Sequence, residues 1–247
     1  MGAPVTLRLA LCAAMLSGVA AADAASWGYE GAKGPARWGS LHPAFSDCAK
    51  GAEQSPIDLA GAEARRQRPI DFDYATAPVV LLNNGHAIQV NYAPGSGMTL
   101  DGVRYELLQF HFHHGSEHTV AGVRLPMELH LVHRSNKGAL AVVGVLLKEG
   151  RENHVLAPIW RHMPARRARA TVAPASVDAT ALLPEERTAW RYRGSLTTPP
   201  CTQGVSWVVM TEPVEVSAEQ IARYGAIFPN SYRPTQPLNR RSLTRDR

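Results

Sequence analysis

The segment Gln109-Phe110-His111-Phe112-His113 alternates polar and aromatic side chains at every position. On a β-strand, successive side chains point to opposite faces of the sheet. Gln109, His111 and His113 therefore share one face, and the two phenylalanines point the other way, into a core. The pattern predicts a strand with two imidazoles on its polar face.

A second alternating segment follows, in which Glu128 and His130 share a face. If its strand pairs with the first one, the imidazoles of His111, His113 and His130 converge. Three neutral imidazoles suit Zn²⁺ and leave a fourth tetrahedral position for water, as in catalytic rather than structural zinc sites. The spacing therefore predicts a catalytic zinc centre.

Other polar residues near these histidines have predicted supporting roles. Gln109 and Glu128 each precede a proposed ligand by two residues on the same face, so each can accept the distal N–H of a ligand imidazole. The alternative is that all these histidines are hydrogen-bonded strand residues. That interpretation fits His114 and His133, which face away from the metal, and His118 is also surplus to the ligand set.

The rest of the chain predicts one domain of the mainly β (α+β) class, built on a large, mostly antiparallel sheet. Strands are expected at 79–82, 88–92, 105–113, 128–133, 140–147 and 205–210. Helices look short and few. Ser217 and Gln220 form a capping box, Pro158 interrupts a second helix over 153–162, and residues 26–58 are expected to be irregular.

Composition is that of an ordinary globular protein, with 45% hydrophobic and 19% charged residues and a net charge of +5. Two arginine clusters contribute to that charge: Arg65, Arg66 and Arg68, and Arg166, Arg167 and Arg169. Neither cluster forms a helical stripe or alternates with aromatic residues. We therefore expect solvated loops and no nucleic-acid partner.

The N-terminus has the pattern of a targeting segment. Arg8 precedes an apolar run over 9–22, which is too short to span a bilayer comfortably. Ala20 and Ala22, or Ala22 and Ala24, fit an A-x-A cleavage site. An uncleaved anchor is the alternative, because the run is preceded by a single positive charge.

These features predict a cleavable signal peptide over 1–25, with its boundary between 22 and 25, and a mature domain over 26–247. No later segment is apolar enough to cross a membrane, so the mature protein is expected in the periplasm or secreted. Cleavage removes Cys12. Cys48 and Cys201 then predict one structural disulfide in an oxidising compartment, the alternative being two separate buried thiols.

Seven motifs resemble those of the α-class carbonic anhydrases, exported bacterial type, in order and approximate spacing. They are Trp27-Gly28-Tyr29, Gln54-Ser55-Pro56-Ile57-Asp58, Asn83-Asn84-Gly85-His86, residues 109–113, Ser116-Glu117-His118, residues 128–133 and Ser195-Leu196-Thr197-Thr198-Pro199-Pro200. A C-terminal motif is half kept at 236–240. The resemblance implies a twisted, mostly antiparallel central sheet of about ten strands, with Zn²⁺ at the bottom of a conical cavity.

The resemblance also implies reversible hydration of CO₂ to bicarbonate and a proton, by attack of zinc-bound hydroxide. Thr197 would accept the proton of that hydroxide and donate its own to Glu117, and Thr198 would hydrogen-bond bicarbonate. An apolar wall for CO₂ would be supplied by Val132, Val142, Leu196, Val205 and Trp207. Each wall residue, taken singly, is also an ordinary core residue.

His86 resembles the family's proton shuttle, and imidazole titrates near neutral pH. Asn84 would order the intervening waters, with Tyr29 as a further polar contact. The alternative is a hairpin turn at 84–85 that leaves His86 as an exposed bystander. The position of Cys201, directly after Pro200, resembles that of a cysteine in the exported members of the family. There the cysteine pairs with one placed like Cys48, and the resemblance implies that such a bridge braces the 196–200 loop here.

Ser231-Tyr232-Arg233 departs from the Asn-Trp-Arg common in vertebrate members, a harmless change if a backbone carbonyl there orients His113. Exported bacterial relatives are often homodimers, so a homodimer is an expectation here. Two other functions compete: a non-catalytic binding domain of the same fold, and a zinc hydrolase acting on esters, which could equally be a side activity.

Overall fold

The computed structural model describes residues 26–247, apart from the side chains of 169–171. The predicted signal peptide over 1–25 lies outside the described residues. Among those described, no helix is both long and apolar enough to span a bilayer.

Strands dominate the structure. In chain order they are β1 (Glu63–Arg65), β2 (Asp71–Asp73), β3 (Ala77–Asn83), β4 (Ile88–Asn91), β5 (Gly97–Leu100), β6 (Val103–His114), β7 (Thr119–Val120), β8 (Val123–Arg124), β9 (Met127–Ser135), β10 (Leu140–Glu149), β11 (Ala168–Val177), β12 (Ala189–Ser195), β13 (Gln203–Met210), β14 (Val214–Val216) and β15 (Thr244–Asp246). All six predicted strands are present, and the two phenylalanines of β6 are buried as their alternation predicts.

One large sheet runs in the order β1-β15-β12-β13-β10-β9-β6-β4-β3-β11, with β2, β5 and β14 attached beside this path. The fold class expected from the sequence is confirmed, including a central path of ten strands. The sheet is mixed, because β1–β15, β10–β13 and β10–β14 pair in parallel. β7 and β8 form a separate two-stranded sheet.

Both faces of the sheet are covered. One face carries the larger core, which includes Phe110, Phe112, Leu129 and Leu131, all at most 1% exposed. The other face carries a smaller apolar cluster around Trp207. Because β6 and β9 are buried on one face by apolar residues, their polar positions are forced onto the opposite face together.

Helices are short, as predicted: α1 (Trp38–Leu41), α2 (Asp47–Lys50), α3 (Ala157–Arg161) and α4 (Ala218–Gly225). The capping box of Ser217 and Gln220 starts α4. The helix expected over 153–162 is shorter, since Pro158 lies in the first turn of α3, where its missing N–H costs nothing, rather than interrupting a helix.

Two local expectations were wrong. The segment expected to be irregular contains α1, α2 and three short 3₁₀ turns, since Trp38 is fully buried and anchors it. Arg65 and Arg169 lie on β1 and β11 rather than in loops, because these strands complete the two ends of the sheet order.

The predicted disulfide between Cys48 and Cys201 is present, with Cα atoms 5.0 Å apart. It links α2 to the end of the loop between β12 and β13. Buried Arg233 braces the same region: it donates to Gln54 Oε1, to the Ser55 carbonyl and to the Cys48 carbonyl at 2.7–2.8 Å.

Candidate metal centre

Antiparallel pairing of β6 and β9 brings the three predicted ligands together. His111 lies directly opposite His130 in the register. His113 is two residues further along β6, and its ring centroid is 4.6 Å from that of His130. One ring nitrogen from each of the three histidines lies within 4.8 Å of the others. A single ion could therefore contact all three rings.

The other nitrogen of each ring has its own partner. His111 Nδ1 lies 2.9 Å from Gln109 Oε1, and His113 Nδ1 lies 2.7 Å from the Ser231 carbonyl oxygen. His130 Nε2 lies 2.9 Å from Glu128 Oε1. These acceptors fix the tautomers, so that Nε2 of His111 and His113 and Nδ1 of His130 present lone pairs inward.

A test of whether Zn²⁺ fits comes from polar atoms that lack partners. Within residues 26–247, His113 Nε2 and Glu117 Oε2 are buried and have no hydrogen-bond partner. They lie 3.6 Å apart, and Glu117 Oε2 is 3.9 Å from His130 Nδ1. Buried polar atoms are rarely left unpaired. A cation held between the three rings would give His113 Nε2 a partner and would place a positive charge near Glu117 Oε2. Three imidazoles form a zinc-type donor set.

Glu128 organises the wall behind His130. Its carboxylate accepts from the backbone N–H groups of Glu117 and His118 and contacts both His118 Nδ1 and His130 Nε2. The hydrogen-bond network continues from His118 Nε2 to the Tyr192 hydroxyl, 2.6 Å away. His118, which the sequence left without a role, therefore holds Glu128 against the ligand.

The electrostatics favour neutral rings at His111 and His113, with His130 held beside a fixed carboxylate. Burial, reinforced by the neighbouring imidazoles, lowers the pKa of His111 well below its usual value. Burial also lowers the pKa of His113. Although burial opposes it, Glu128 raises the pKa of His130. Burial alone would raise the pKa of Glu128, but His118 and His130 hold it well below normal.

The loop after β12 carries the two threonines. Thr197 is 5% exposed and Thr198 is half-buried. Glu117 Oε1 accepts from the backbone N–H of Arg233 at 2.8 Å. Glu117 Oε2 has no partner among the described residues, so the hydrogen bond from Thr197 that the resemblance implies is not formed there.

The five residues expected to form an apolar wall belong to one cluster around Trp207. Val142, Val205 and Trp207 are fully buried in it, and Val132 and Leu196 pack against it half-buried. The Trp207 ring centroid is 4.9 Å from that of His130. The cluster therefore lies beside the histidine site.

His86 lies in the hairpin loop between β3 and β4, as the alternative interpretation expected, but it is half-buried rather than exposed. Its ring stacks on Trp27, with centroids 3.7 Å apart and planes 8° from parallel. Burial, with a contribution from Arg167, lowers its pKa. The Asn84 side-chain oxygen accepts from the His86 backbone N–H, so Asn84 shapes the loop itself.

Tyr29 packs edge-on against Trp27 and Trp38. Burial, and then the nearby Glu117 carboxylate, raise the pKa of Tyr29 well above its usual value. Its hydroxyl therefore stays protonated at neutral pH.

Two residues near the site were missed by sequence reasoning. Gln89 lies opposite His111 in the β4–β6 register, and its Oε1 lies 3.4 Å from Asn84 Nδ2. The alternation of Ile88 and Val90 with polar residues was a usable signal for it. Trp27 belongs to a motif that carried the resemblance but was given no role, since its stacking on His86 depends on the path of the N-terminal segment.

Comparisons with known proteins identify the family of this chain. Residues 33–247 match the model of the family described as eukaryotic-type carbonic anhydrase. A carbonic anhydrase from Nostoc sp. is 44% identical over 90% of this chain and 86% of its own. A carbonic anhydrase from Pectobacterium carotovorum is 41% identical over 96% of this chain and 98% of its own.

A solved structure of the α-carbonic anhydrase from Thermovibrio ammonificans, in complex with the inhibitor sulfanilamide, superposes with a TM-score of 0.87 at 43% identity. The superposition covers 89% of this chain and 99% of the Thermovibrio chain. A family match across most of the chain, relatives above 40% identity and the shared fold lead to one conclusion: this chain belongs to the eukaryotic-type, or α-class, carbonic anhydrases.

Proposed function

We propose that the chain catalyses the zinc-dependent, reversible hydration of CO₂ to bicarbonate and a proton. The observation that carries the proposal is the convergence of three imidazoles, those of His113 and His130 buried and that of His111 half-buried, each oriented by an acceptor on its other nitrogen. His111 and His113 would bind Zn²⁺ through Nε2 and His130 through Nδ1. Bound Zn²⁺ supplies the Lewis acidity that makes water a nucleophile at neutral pH, as known for carbonic anhydrase itself.

Glu117 and Thr197 would orient the attacking oxygen. Glu117 Oε2 is a buried acceptor without a partner among the described residues, and its other oxygen is held by Arg233. If the Thr197 hydroxyl donates to Oε2, its lone pairs are left to accept a hydrogen bond from the reacting oxygen. Thr198, half-buried on the same loop, would donate to bicarbonate.

The apolar cluster around Trp207 would hold CO₂ beside the nucleophile. CO₂ offers little for a polar site to bind, and an apolar surface keeps water from competing for the position. Val142, Val205 and Trp207 are at most 2% exposed, so they form a rigid wall, while half-buried Val132 and Leu196 can be reached by substrate.

His86 would carry the proton released in each turnover to solvent. Its stacking on Trp27 and its lowered pKa favour the neutral ring that accepts a proton. Asn84 shapes the loop that holds it, and Gln89 links Asn84 toward His111. These contacts support a shuttle that passes protons through ordered water.

We also propose that residues 1–25 are a cleaved signal peptide and that 26–247 form one catalytic domain in the periplasm or outside the cell. The disulfide between Cys48 and Cys201 supports an oxidising compartment. The family match over 33–247 supports a single domain. A homodimer remains part of this proposal on the resemblance alone.

The test is stopped-flow CO₂ hydration with zinc determined on the same sample. We expect one zinc per chain, and loss of both zinc and rate in His111→Ala. His114→Ala is the matched control, since His114 is the β6 histidine outside the ligand set and its ring accepts from the Asn230 backbone N–H. Folded protein without zinc and without hydration would refute the proposal and leave the binding-domain alternative.

Ester hydrolysis is proposed only as a side activity of the same centre. Turnover of an activated ester should be abolished together with CO₂ hydration in His111→Ala. Sulfanilamide is named as an inhibitor of the Thermovibrio relative, and it should inhibit both reactions here. Ester turnover that survives this inhibitor would require a separate site.

A further inference from the structure

A cavity that shares no lining residue with the histidine site lies between β12 and the C-terminal segment. Its volume is about 640 Å³, within the range of small-molecule sites. The residues that matter in its lining are Ala52, Glu53, Arg193, Asn239, Arg240 and Arg241. We call it the arginine cavity. Carbon dioxide hydration, as proposed above, assigns it no role.

Arg241 is held rigidly in the wall of the arginine cavity. Its Nε, Nη1 and Nη2 donate to the carbonyl oxygens of Leu238, Arg193 and Pro237 at 2.7–2.9 Å. Its guanidinium lies 5.6 Å from the centroid of the Tyr192 ring. A guanidinium has five N–H donors, so two stay available. Because every partner is neutral, the positive charge is fixed in place but not neutralised.

The charges around the cavity do not balance. Glu53 is the acidic residue of the lining, and its Oε2 is 4.0 Å from Arg193 Nε, a long contact between partly exposed side chains. Within residues 26–247, Arg240 and Arg241 form no ion pair with a carboxylate. Three guanidinium groups against one carboxylate leave about two positive charges, which matches a dianion.

An apolar part of a ligand could also be held. Ala52 lines the same cavity as the arginines, whose long methylene stems can cover apolar surface. An adjoining cavity of about 240 Å³ shares Arg193 and adds Arg65 and Arg191. Nε and Nη1 of Arg191 are buried donors without partners in the described chain. Asp101 also lines this adjoining cavity and Arg191 pairs with Asp246 at 2.9 Å, so the unbalanced positive charge is confined to the arginine cavity.

We propose that the arginine cavity binds a small organic dianion, such as a phosphate monoester or a dicarboxylate, through Arg193, Arg240 and Arg241. Guanidinium groups recognise both head groups with paired, charge-assisted hydrogen bonds. The preformed position of Arg241 reduces the ordering cost of binding. Binding of such a ligand would be independent of the function proposed for the histidine site.

Isothermal titration calorimetry on the zinc-loaded protein tests this, with phenyl phosphate, isophthalate and inorganic phosphate as probes. Phenyl phosphate should bind saturably. Removing two guanidinium contacts in Arg193→Gln/Arg240→Gln should weaken it by about tenfold or more. Both side chains are exposed, so the fold should persist, which unchanged CO₂ hydration would show. Arg66→Gln is the matched control, because it removes an exposed arginine that neither cavity includes.

Tighter binding of phenyl phosphate than of isophthalate would identify a phosphate monoester as the ligand class, and the reverse a dicarboxylate. Four results would overturn the proposal: no saturable binding, equal binding by the double variant, equal weakening in Arg66→Gln, or inorganic phosphate binding as well as phenyl phosphate. In a matching titration with heparin, saturable binding of heparin by protein that does not bind phenyl phosphate would also overturn it, in favour of a surface for anionic polymers.

Discussion

Removing the disulfide between Cys48 and Cys201 should destabilise the protein strongly. The bridge joins residues with a sequence separation of 153. In the chain-entropy model, closing a loop of that length removes about 17 cal/mol/K from the unfolded chain, or about 5 kcal/mol at 25 °C. For a domain of this size each kcal/mol shifts Tm by about 2–4 °C, so Tm should fall by about 10–20 °C.

The rate of CO₂ hydration should fall as well, even when it is measured at a temperature far below the lowered Tm. Cys201 follows the loop of Thr197, and its backbone N–H donates to the Thr198 carbonyl. Its carbonyl accepts from Gln54, which also contacts Arg233. Loss of the bridge frees one end of this loop and therefore lowers the population of the correct Thr197 position.

The assay is Tm by circular dichroism and stopped-flow CO₂ hydration at 25 °C, with and without dithiothreitol. A Cys48→Ala/Cys201→Ala variant should behave as the reduced native protein does, and dithiothreitol should not change it further. Native protein that is fully reduced, yet keeps its Tm and its rate, would refute this reasoning.

Three further predictions concern the histidines. Glu128→Gln should weaken Zn²⁺ binding by about 10–100-fold, measured by chelator competition, because His130 loses the carboxylate that raises its basicity. Burial lowers the pKa of His133 to about 4, so the folded state binds fewer protons than the unfolded one. The contribution of His133 to the free energy of unfolding should drop by about 3 kcal/mol between pH 6.5 and 4, and His133→Phe should lessen the total drop by that amount. His86→Ala should slow hydration at low buffer concentration, and added imidazole should restore it.

Controls for these predictions come from the same chain. Glu215→Gln changes a carboxylate that pairs with Lys148 and Arg151 and with no ligand histidine, and it should leave Zn²⁺ affinity unchanged. An equal loss of affinity there would contradict the role of Glu128. An unfolding free energy that is flat from pH 6.5 to 4 in the native protein would contradict the burial argument for His133. Unchanged hydration by His86→Ala at every buffer concentration would exclude it as the shuttle.

Local alternation in the sequence was enough to predict the strands that carry the ligands. A period of two in residues 109–113 assigns a face to each side chain, because only the pleat of one strand is involved. The same reasoning predicted that Gln109 and Glu128 lie beside the imidazoles. The capping box at Ser217 is equally local, since its hydrogen bonds join residues three positions apart.

The tertiary structure decided everything that joins distant segments. The acceptor of His113 is the carbonyl of Ser231, 118 residues away, and His118 reaches Tyr192 across 74 residues. The stacking of His86 on Trp27 likewise depends on an N-terminal segment without periodicity. Such contacts are set by how loops pack on a completed sheet, and the free energies that select them are sums over many distant residues. The sequence by itself determined which residues share a face; only the folded chain determined which partners orient them.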